Sequence, residues 1–149
     1  MPTSILDATK IQSRIVIPIV KALEKELGKA RAHQIVGQAI AEAYVGYREG
    51  LGYEPNEHPR DEGEGVGNKP KFPVDRVVVE DSDTAFGHNI TGCAFADYFR
   101  AIGEPEIGAL MTCGVDFAAE GRIRPAWEFK RSQTRLQGAD FCDFRWRKL

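Results

Sequence analysis

The chain is poor in the residues that mark several specialised protein classes. It has three cysteines, two methionines and two tryptophans among 149 residues, and its formal net charge is −2. An odd number of widely spaced cysteines argues against a disulfide framework and favours a reducing compartment, so we expect a cytoplasmic protein. A near-neutral charge gives no basic surface for nucleic acid. The sequence therefore predicts a protein that binds no nucleic acid.

Long hydrophobic runs are also missing. No apolar stretch approaches the ~18 residues that can cross a membrane, and the first residues do not have the basic and then apolar pattern of a signal peptide. We therefore expect no membrane attachment. The length and the ordinary content of hydrophobic residues, 42%, and charged residues, 28%, predict a single domain over residues 1–149.

Two helices are predicted in the first 50 residues. Ile11, Ile15, Ile19 and Leu23 recur at helical steps, and Pro18 should kink or divide that helix. The second helix should run from Lys29 to Arg48, with an apolar face made of Ala32, Ile35, Val36, Ala39, Ile40, Ala43 and Tyr47. Such apolar N-terminal helices are compatible with a homodimer.

Residues 52–73 are rich in glycine, proline and charge. A segment of this composition buries little apolar surface, which predicts a long mobile loop. Loops of this length are either functional, for example as a lid, or plain solvated linkers. Composition alone leaves both readings open.

The remaining sequence alternates strands and helices. Residues 76–80 and 84–90 predict a hairpin, residues 94–102 and 105–119 two helices, and residues 124–133 and 141–147 a second hairpin. Two hairpins with helices between them predict an α+β fold, in which an antiparallel sheet is covered by helices on one face.

Each cysteine lies near a small polar or acidic residue. In an extended segment Asn89, Thr91 and Cys93 would share one side and His88 the other. With Thr91 as N-cap, Cys93 would lie in the first turn of the next helix, where free N–H groups and the helix dipole favour a reactive thiolate. A buried, purely structural Cys93 is the competing interpretation.

The other two cysteines have different surroundings. Cys113 and Asp116 are three residues apart, on adjacent turns of one helix face, and a buried Asp116 would need a partner such as a cationic substrate. A surface Asp116 beside a core Cys113 is the competing interpretation. On the last strand Cys142 shares a face with two aromatic residues, whereas Asp143 and Arg145 would form an ion pair on the other face. Without Cys-x-x-Cys spacing a zinc site is disfavoured, so we expect no metal and no cofactor.

Four motifs together resemble the L-2-amino-thiazoline-4-carboxylic acid hydrolase family. They are Asn89-Ile-Thr-Gly-Cys93, Gly103-Glu-Pro-Glu106, Cys113-Gly-Val-Asp116 and a final segment that begins at Thr134 and ends Cys142-Asp-Phe-Arg145. The resemblance spans residues 76–146. Residues 52–72 look like a longer insertion than the family has, and Trp146 stands where Tyr or Phe is expected.

This resemblance implies a hydrolase that opens a cyclic isothiourea to a carbamoyl-cysteine. It also implies the element order of sensor domains of the 4-vinyl-reductase type, so a small-molecule-binding or zinc-binding module without turnover is the alternative. A related enzyme acting on another cyclic, amidine-like substrate is a third interpretation.

The implied site residues fall into two groups. The catalytic group is Asn89, Thr91, Cys93, Cys113 and Asp116, and the substrate-binding group is His88, Arg131, Thr134, Cys142 and Asp143. Either a Cys93 thiolate or a polarised water would attack the ring carbon. Asp116 or Asp143 would hold the amidine-like N–H groups, Asn89 and Thr91 the tetrahedral centre, and Arg131 or Arg145 a substrate carboxylate.

Overall fold

The computed structural model describes residues 3–149. Five helices and four strands follow one another as α1 (Ile5–Leu27), α2 (Lys29–Glu49), β1 (Val74–Asp81), β2 (Ala85–Cys93), α3 (Ala94–Ala101), α4 (Pro105–Met111), α5 (Asp116–Ile123), β3 (Trp127–Lys130) and β4 (Cys142–Lys148). The strands form one antiparallel sheet in the order β1-β2-β4-β3. The predicted α+β fold is therefore confirmed.

The first helix is not divided at Pro18. Ser4 caps its start by accepting a hydrogen bond from the Asp7 N–H, 3.0 Å away, and the helix continues to Leu27. Pro18 and Arg14 both lie on the exposed side, so the Arg14 carbonyl that loses its helical partner can be solvated.

Helical periodicity alone did not identify which faces are covered. Thr9, Ser13 and Val20 form the buried side of α1, whereas Ile11, Ile15 and Ile19 face solvent. On α2 the predicted apolar face is only partly correct. Ala32 is buried, but Ile35, Ala39, Ala43 and Tyr47 are exposed.

The predicted helix over residues 105–119 is two helices. α4 ends at Met111, a single 3-10 turn covers Cys113–Val115, and α5 begins at Asp116. The break follows Thr112, whose hydroxyl donates to the Gly108 carbonyl at 2.7 Å. This bend places Cys113 and Asp116 at the junction of two helices.

One face of the sheet carries the aromatic core. Phe86, Trp127 and Trp146 are buried there, with Phe129 and Phe144 packed against them. A second cluster is formed by Ala96 and Phe99 of α3 and by Leu136, with Ala109 and Met111 of α4 packed against it. The candidate site lies close to this second cluster.

Residues 52–73 contain little regular structure but make specific contacts. Pro59–Asp61 forms a 3-10 turn, and Asn56 accepts a hydrogen bond from the Ala126 N–H at 2.7 Å. The His58 ring packs edge-on against Trp127, with 5.1 Å between ring centroids. The segment thus covers part of the aromatic face, and its mobility stays a prediction, as does the single-domain organisation.

Candidate functional site

A small cleft of about 240 Å³ opens beside the junction of α4 and α5. Its wall includes Cys113, Phe117, Arg131, Ser132, Gln133 and Thr134. Most ligand pockets measure ~300 Å³ or more, so this cleft is smaller than usual and has room only for a small molecule. A more open groove of about 570 Å³ between α2 and α5 contains none of the predicted site residues.

Asp116 and Arg131 form an ion pair beside this cleft. The Asp116 Oδ2 atom lies 2.6 Å from Arg131 Nη1, and Arg131 Nη2 donates to the Cys113 carbonyl at 3.0 Å. The guanidinium lies between the rings of Phe117 and Phe144, 5.1 and 5.3 Å from their centroids. Arg131, which lines the cleft, is 7% exposed, and Asp116, which lies outside that lining, is 24% exposed. The cation is therefore held rigidly, and part of the carboxylate is accessible to solvent.

The Asp116 carboxyl is poised to exchange a proton near neutral pH. Burial raises its pKa to about 7, although the Arg131 guanidinium opposes the rise. A group whose pKa lies near the working pH is effective in general acid–base catalysis. Asp116 therefore combines partial solvent accessibility, an ion pair with the fixed Arg131 and a pKa near neutral pH.

The three thiols are protonated at neutral pH. Burial raises the pKa of Cys113 to about 12, with a further contribution from Asp116. Burial also raises the pKa of Cys93 and of Cys142, although each sulfur accepts a backbone N–H, from Ala96 at 3.5 Å and Arg135 at 3.2 Å. The expected thiolate at Cys93 is thus wrong, because desolvation outweighs the N–H groups of a helix only eight residues long.

The chain brings the three cysteines close to one another and to Asp116. Cys93 and Cys113 pack against the same Ala96–Phe99–Leu136 cluster. Cys142 is near enough to Cys93 to influence its pKa, and Asp116 influences the pKa of both Cys113 and Cys142. In residues 3–149, no three His, Cys, Asp or Glu side chains are grouped to hold a metal ion.

Asn89 and Thr91 lie away from the cleft. The Asn89 Oδ1 atom accepts from Arg145 Nη2 at 2.7 Å, and the exposed Thr91 hydroxyl is 3.5 Å from the Asp75 carbonyl. Thr91 is not the N-cap of α3, because β2 continues to Cys93 and the Cys93 side chain itself occupies the cap. Asn89 and Thr91 lie on the strand face opposite Phe86 and His88, as the alternation predicted, whereas Cys93 packs against the Ala96–Phe99–Leu136 cluster.

His88 points into the aromatic core. Its ring lies 5.3 to 5.4 Å from the rings of Phe86, Phe144 and Trp146. Burial, together with the cationic Arg76 and Arg145, lowers its pKa to about 3. The ring is therefore neutral and out of contact with the cleft.

Asp143 supports the cleft wall and does not pair with Arg145. Its Oδ1 atom accepts the N–H groups of Ser132 at 2.8 Å and Gln133 at 2.9 Å, and its Oδ2 atom accepts the Ser132 hydroxyl. Burial would raise the pKa of this carboxyl, but these hydrogen bonds outweigh it and hold the pKa below its usual value. The predicted ion pair is wrong because Arg145 lies across Gly87 toward Asn89.

Thr134 is buried and caps a short turn at the cleft. Its Oγ1 atom accepts the Gln137 N–H at 3.2 Å and donates to Gln137 Oε1 at 3.1 Å. Ser132, Gln133 and Phe117 are cleft residues that the sequence did not reveal. The only signal for the first two was their position just before Thr134.

A second polar cluster lies deep in the protein and was also missed. Glu62 bonds to Arg48 at 2.8 Å and to Arg124 at 2.8 Å, and Arg124 Nη1 lies 2.8 and 2.9 Å from the two oxygens of Glu120. The only local relation within it is the four-residue separation of Glu120, in α5, and Arg124, which caps the end of α5.

Comparison with known proteins identifies the chain's relatives. Residues 8–146 match the sequence signature of L-2-amino-thiazoline-4-carboxylic acid hydrolases. The chain belongs to the L-2-amino-thiazoline-4-carboxylic acid hydrolase family. No individually curated protein matches it.

Among solved structures, the chain is similar to a trafficking protein particle complex subunit 3 from Naegleria fowleri covalently bound to palmitic acid. The two share 17% identity with a TM-score of 0.46, over 94% of this chain and 96% of that chain. This level of similarity transfers no property of that protein. None of the helices in residues 3–149 has both the length and the hydrophobicity that a bilayer crossing requires.

Proposed function

We propose that this hydrolase-family protein opens a small cyclic, amidine-like substrate that carries a carboxylate, of the kind in the family name. The observation that supports this most strongly is the Asp116–Arg131 pair at the edge of a cleft with room for a small molecule. Arg131 keeps further N–H donors that can hold a substrate carboxylate. Asp116 supplies the exchangeable proton.

In the proposed reaction, water is the nucleophile. The ionised Asp116 removes one proton as the water oxygen bonds to the ring carbon between nitrogen and sulfur, and the electron pair of the carbon–nitrogen double bond moves to the ring nitrogen. As the tetrahedral intermediate collapses, its hydroxyl proton passes to that nitrogen, the carbon–oxygen double bond forms and the carbon–sulfur bond breaks. The departing sulfur keeps the bonding electrons and takes the proton from Asp116. The products are a carbamoyl group and a free thiol, so the atoms of substrate and one water are conserved.

The cysteines have a supporting role in this proposal. A Cys113 thiol whose pKa is about 12 is a weak nucleophile at neutral pH, because the thiolate is the reactive form. Cys113 instead forms part of the cleft wall, and its carbonyl orients Arg131. Cys93 packs against the neighbouring hydrophobic cluster. Substituting Cys93 or Cys113 with Ser should therefore preserve most of the turnover.

The direct test is to replace the acid by its amide. Asp116→Asn should reduce thiol release from L-2-amino-thiazoline-4-carboxylate by about 100-fold to 10,000-fold, the usual contribution of general acid–base catalysis. Glu128→Gln, an exposed acid on β3, is the matched control and should match the wild type. Equal rates in Asp116→Asn and the wild type would exclude Asp116 as the base.

The second candidate is a small-molecule-binding module without turnover. The protonated thiols and the cleft favour this binding module, because a cleft can bind a small molecule without an activated nucleophile. The two candidates are separated by incubating the wild type with the same thiazoline. Saturable heat of binding without thiol release would favour the binding module, whereas thiol release would favour the enzyme.

The cytoplasmic location remains a prediction.

A further inference from the structure

No element within residues 3–149 covers the isoleucine stripe on the exposed side of α1. Ile11, Ile15 and Ile19 are 56%, 65% and 52% exposed, and their four-residue spacing puts them on one helix face. Single exposed apolar residues are normal, but a contiguous row marks an interaction surface. Because the core side of α1 is formed by other residues, the stripe is free to contact a partner.

The stripe is symmetric about Ile15 along the helix. Ile11 and Ile19 lie four residues on either side of Ile15, and Ala8 and Ala22 lie seven residues on either side. We propose that α1 packs antiparallel against α1 of a second copy of this chain, around a two-fold axis at Ile15. Ile15 then meets itself, and Ile11 meets the Ile19 position of the other copy, as an isologous interface requires.

The charges that flank the stripe fit this antiparallel register. Asp7 and Lys25 project from the same edge of the helix, and in the paired helices Asp7 lies within about 3 Å, along the axis, of the Lys25 position in the other copy. Glu26 faces the position of Ser4, at the helix N-terminus, where the dipole favours a carboxylate. Each of these contacts occurs twice because of the symmetry.

The length of α1 sets the area it can contribute. α1 has 23 residues and is thus about 34 Å long and about 10 Å wide, so it projects about 340 Å². This is less than the ~800 Å² per partner of a stable interface. The proposed interface therefore also uses α2, which packs against α1 and exposes Ile35, Ala39, Ala43 and Tyr47.

The first experiment measures the mass in solution. Sedimentation of the wild type at micromolar concentration should give two chains, and Ile15→Glu, which opposes two carboxylates at the axis, should weaken association by at least about 100-fold. Ile102→Glu, an exposed isoleucine elsewhere, should remain a dimer. A single-chain mass for the wild type, or an unchanged dimer for Ile15→Glu, would overturn the proposal.

Cross-linking tests the register independently of stability. Under mild oxidation, Ile15→Cys should give a covalent dimer, because a residue on the axis lies within disulfide range of its own copy. Ile11→Cys alone should not, whereas the double variant Ile11→Cys/Ile19→Cys should. Cross-linking of the Ile11→Cys variant but not of Ile15→Cys would contradict the antiparallel register.

One charge should oppose the pairing. The two Arg14 side chains lie beside the axis on the same edge, so Arg14→Gln should tighten the dimer by about 3-fold to 10-fold, most visibly at low salt. Weaker association of Arg14→Gln would contradict the proposed packing.

Discussion

Two acids on helix α5 have opposite surroundings. Asp116 and Glu120 are four residues apart, and so are neighbours on the same face. Glu120 is buried, with both oxygens bonded to Arg124 and one of them also to the Trp146 Nε1 atom at 2.8 Å. Asp116 has one ion-pair partner and lies beside a cleft. A carboxylate that is fully bonded serves structure, whereas one that is partly bonded and reachable can exchange a proton.

The same contrast holds for the two regions around these acids. The Arg48–Glu62–Arg124–Glu120 network has two positive and two negative charges, and its arginines are at most 2% exposed. It joins α2, α5 and residues 52–73 into one unit. The Asp116–Arg131 pair lies beside the wall of a cavity. The first region should therefore govern stability and the second activity.

Breaking the network should give the largest loss of stability. Glu62→Gln leaves Arg48 and Arg124 buried with one fewer negative charge, which should lower the free energy of unfolding by about 3–5 kcal/mol. Urea denaturation measures the change. Glu64→Gln, whose pairs with Lys71 and Arg76 are partly exposed, is the control and should lose about 1 kcal/mol or less. A loss below 1 kcal/mol for Glu62→Gln would mean that this network is not the stabilising region.

His88 extends the comparison, because it is buried and no carboxylate among residues 3–149 pairs with it. Its pKa is lowered to about 3 in the folded protein, against ~6.5 in an unfolded chain. Between these values only the unfolded state binds the proton at His88, so the contribution of His88 to stability falls as the pH drops, by up to about 1.4 kcal/mol per pH unit. Asp116, whose pKa is raised to about 7, contributes in the opposite direction. His88→Phe should therefore make stability fall less, or rise more, between pH 7 and pH 5 than it does in the wild type, in denaturation curves at both pH values. An unchanged pH slope in His88→Phe would assign the effect to another group.

The smallest expected effect concerns the cleft wall. Asp143→Asn weakens the hydrogen bonds that hold Ser132 and Gln133 in place, and should cost about 1–2 kcal/mol of stability. It should also lower kcat/KM by about 10-fold, mainly through KM, since Asp143 only positions the wall. Asp140→Asn, an exposed acid nearby, is the control. A selective loss of kcat in Asp143→Asn would contradict a purely positioning role.

Local patterns predicted much of the fold. Both hairpins, the helix after Cys93 and the family motifs follow from alternation, turn residues and spacing. The alternating pattern also placed Asn89 and Thr91 on the same side of the strand. It did not specify which side packs against the core, because alternation separates two faces without showing which of them is buried. For the same reason the sequence revealed the isoleucine stripe of α1 but not that this stripe faces solvent.

The rest depends on contacts between distant residues. Glu62 bonds to Arg48 and Arg124, which are 14 and 62 residues away in sequence, and no local signal links them. Cys113 and Asp116 were found because they are close in sequence. Their partner Arg131 was a candidate only for the substrate carboxylate, and its ion pair with Asp116 depends on the bend between α4 and α5.

The pH dependence of kcat/KM is the most direct test of the central claim that Asp116 is the proton acceptor. With thiol release as the readout, the wild-type value should rise about tenfold per pH unit below pH 7 and level off above it, in line with a pKa of about 7. Asp116→Asn should lose this rise together with most of the activity. A wild-type profile that is flat between about pH 5.5 and 8.5, or an Asp116→Asn profile that matches it, would contradict the account.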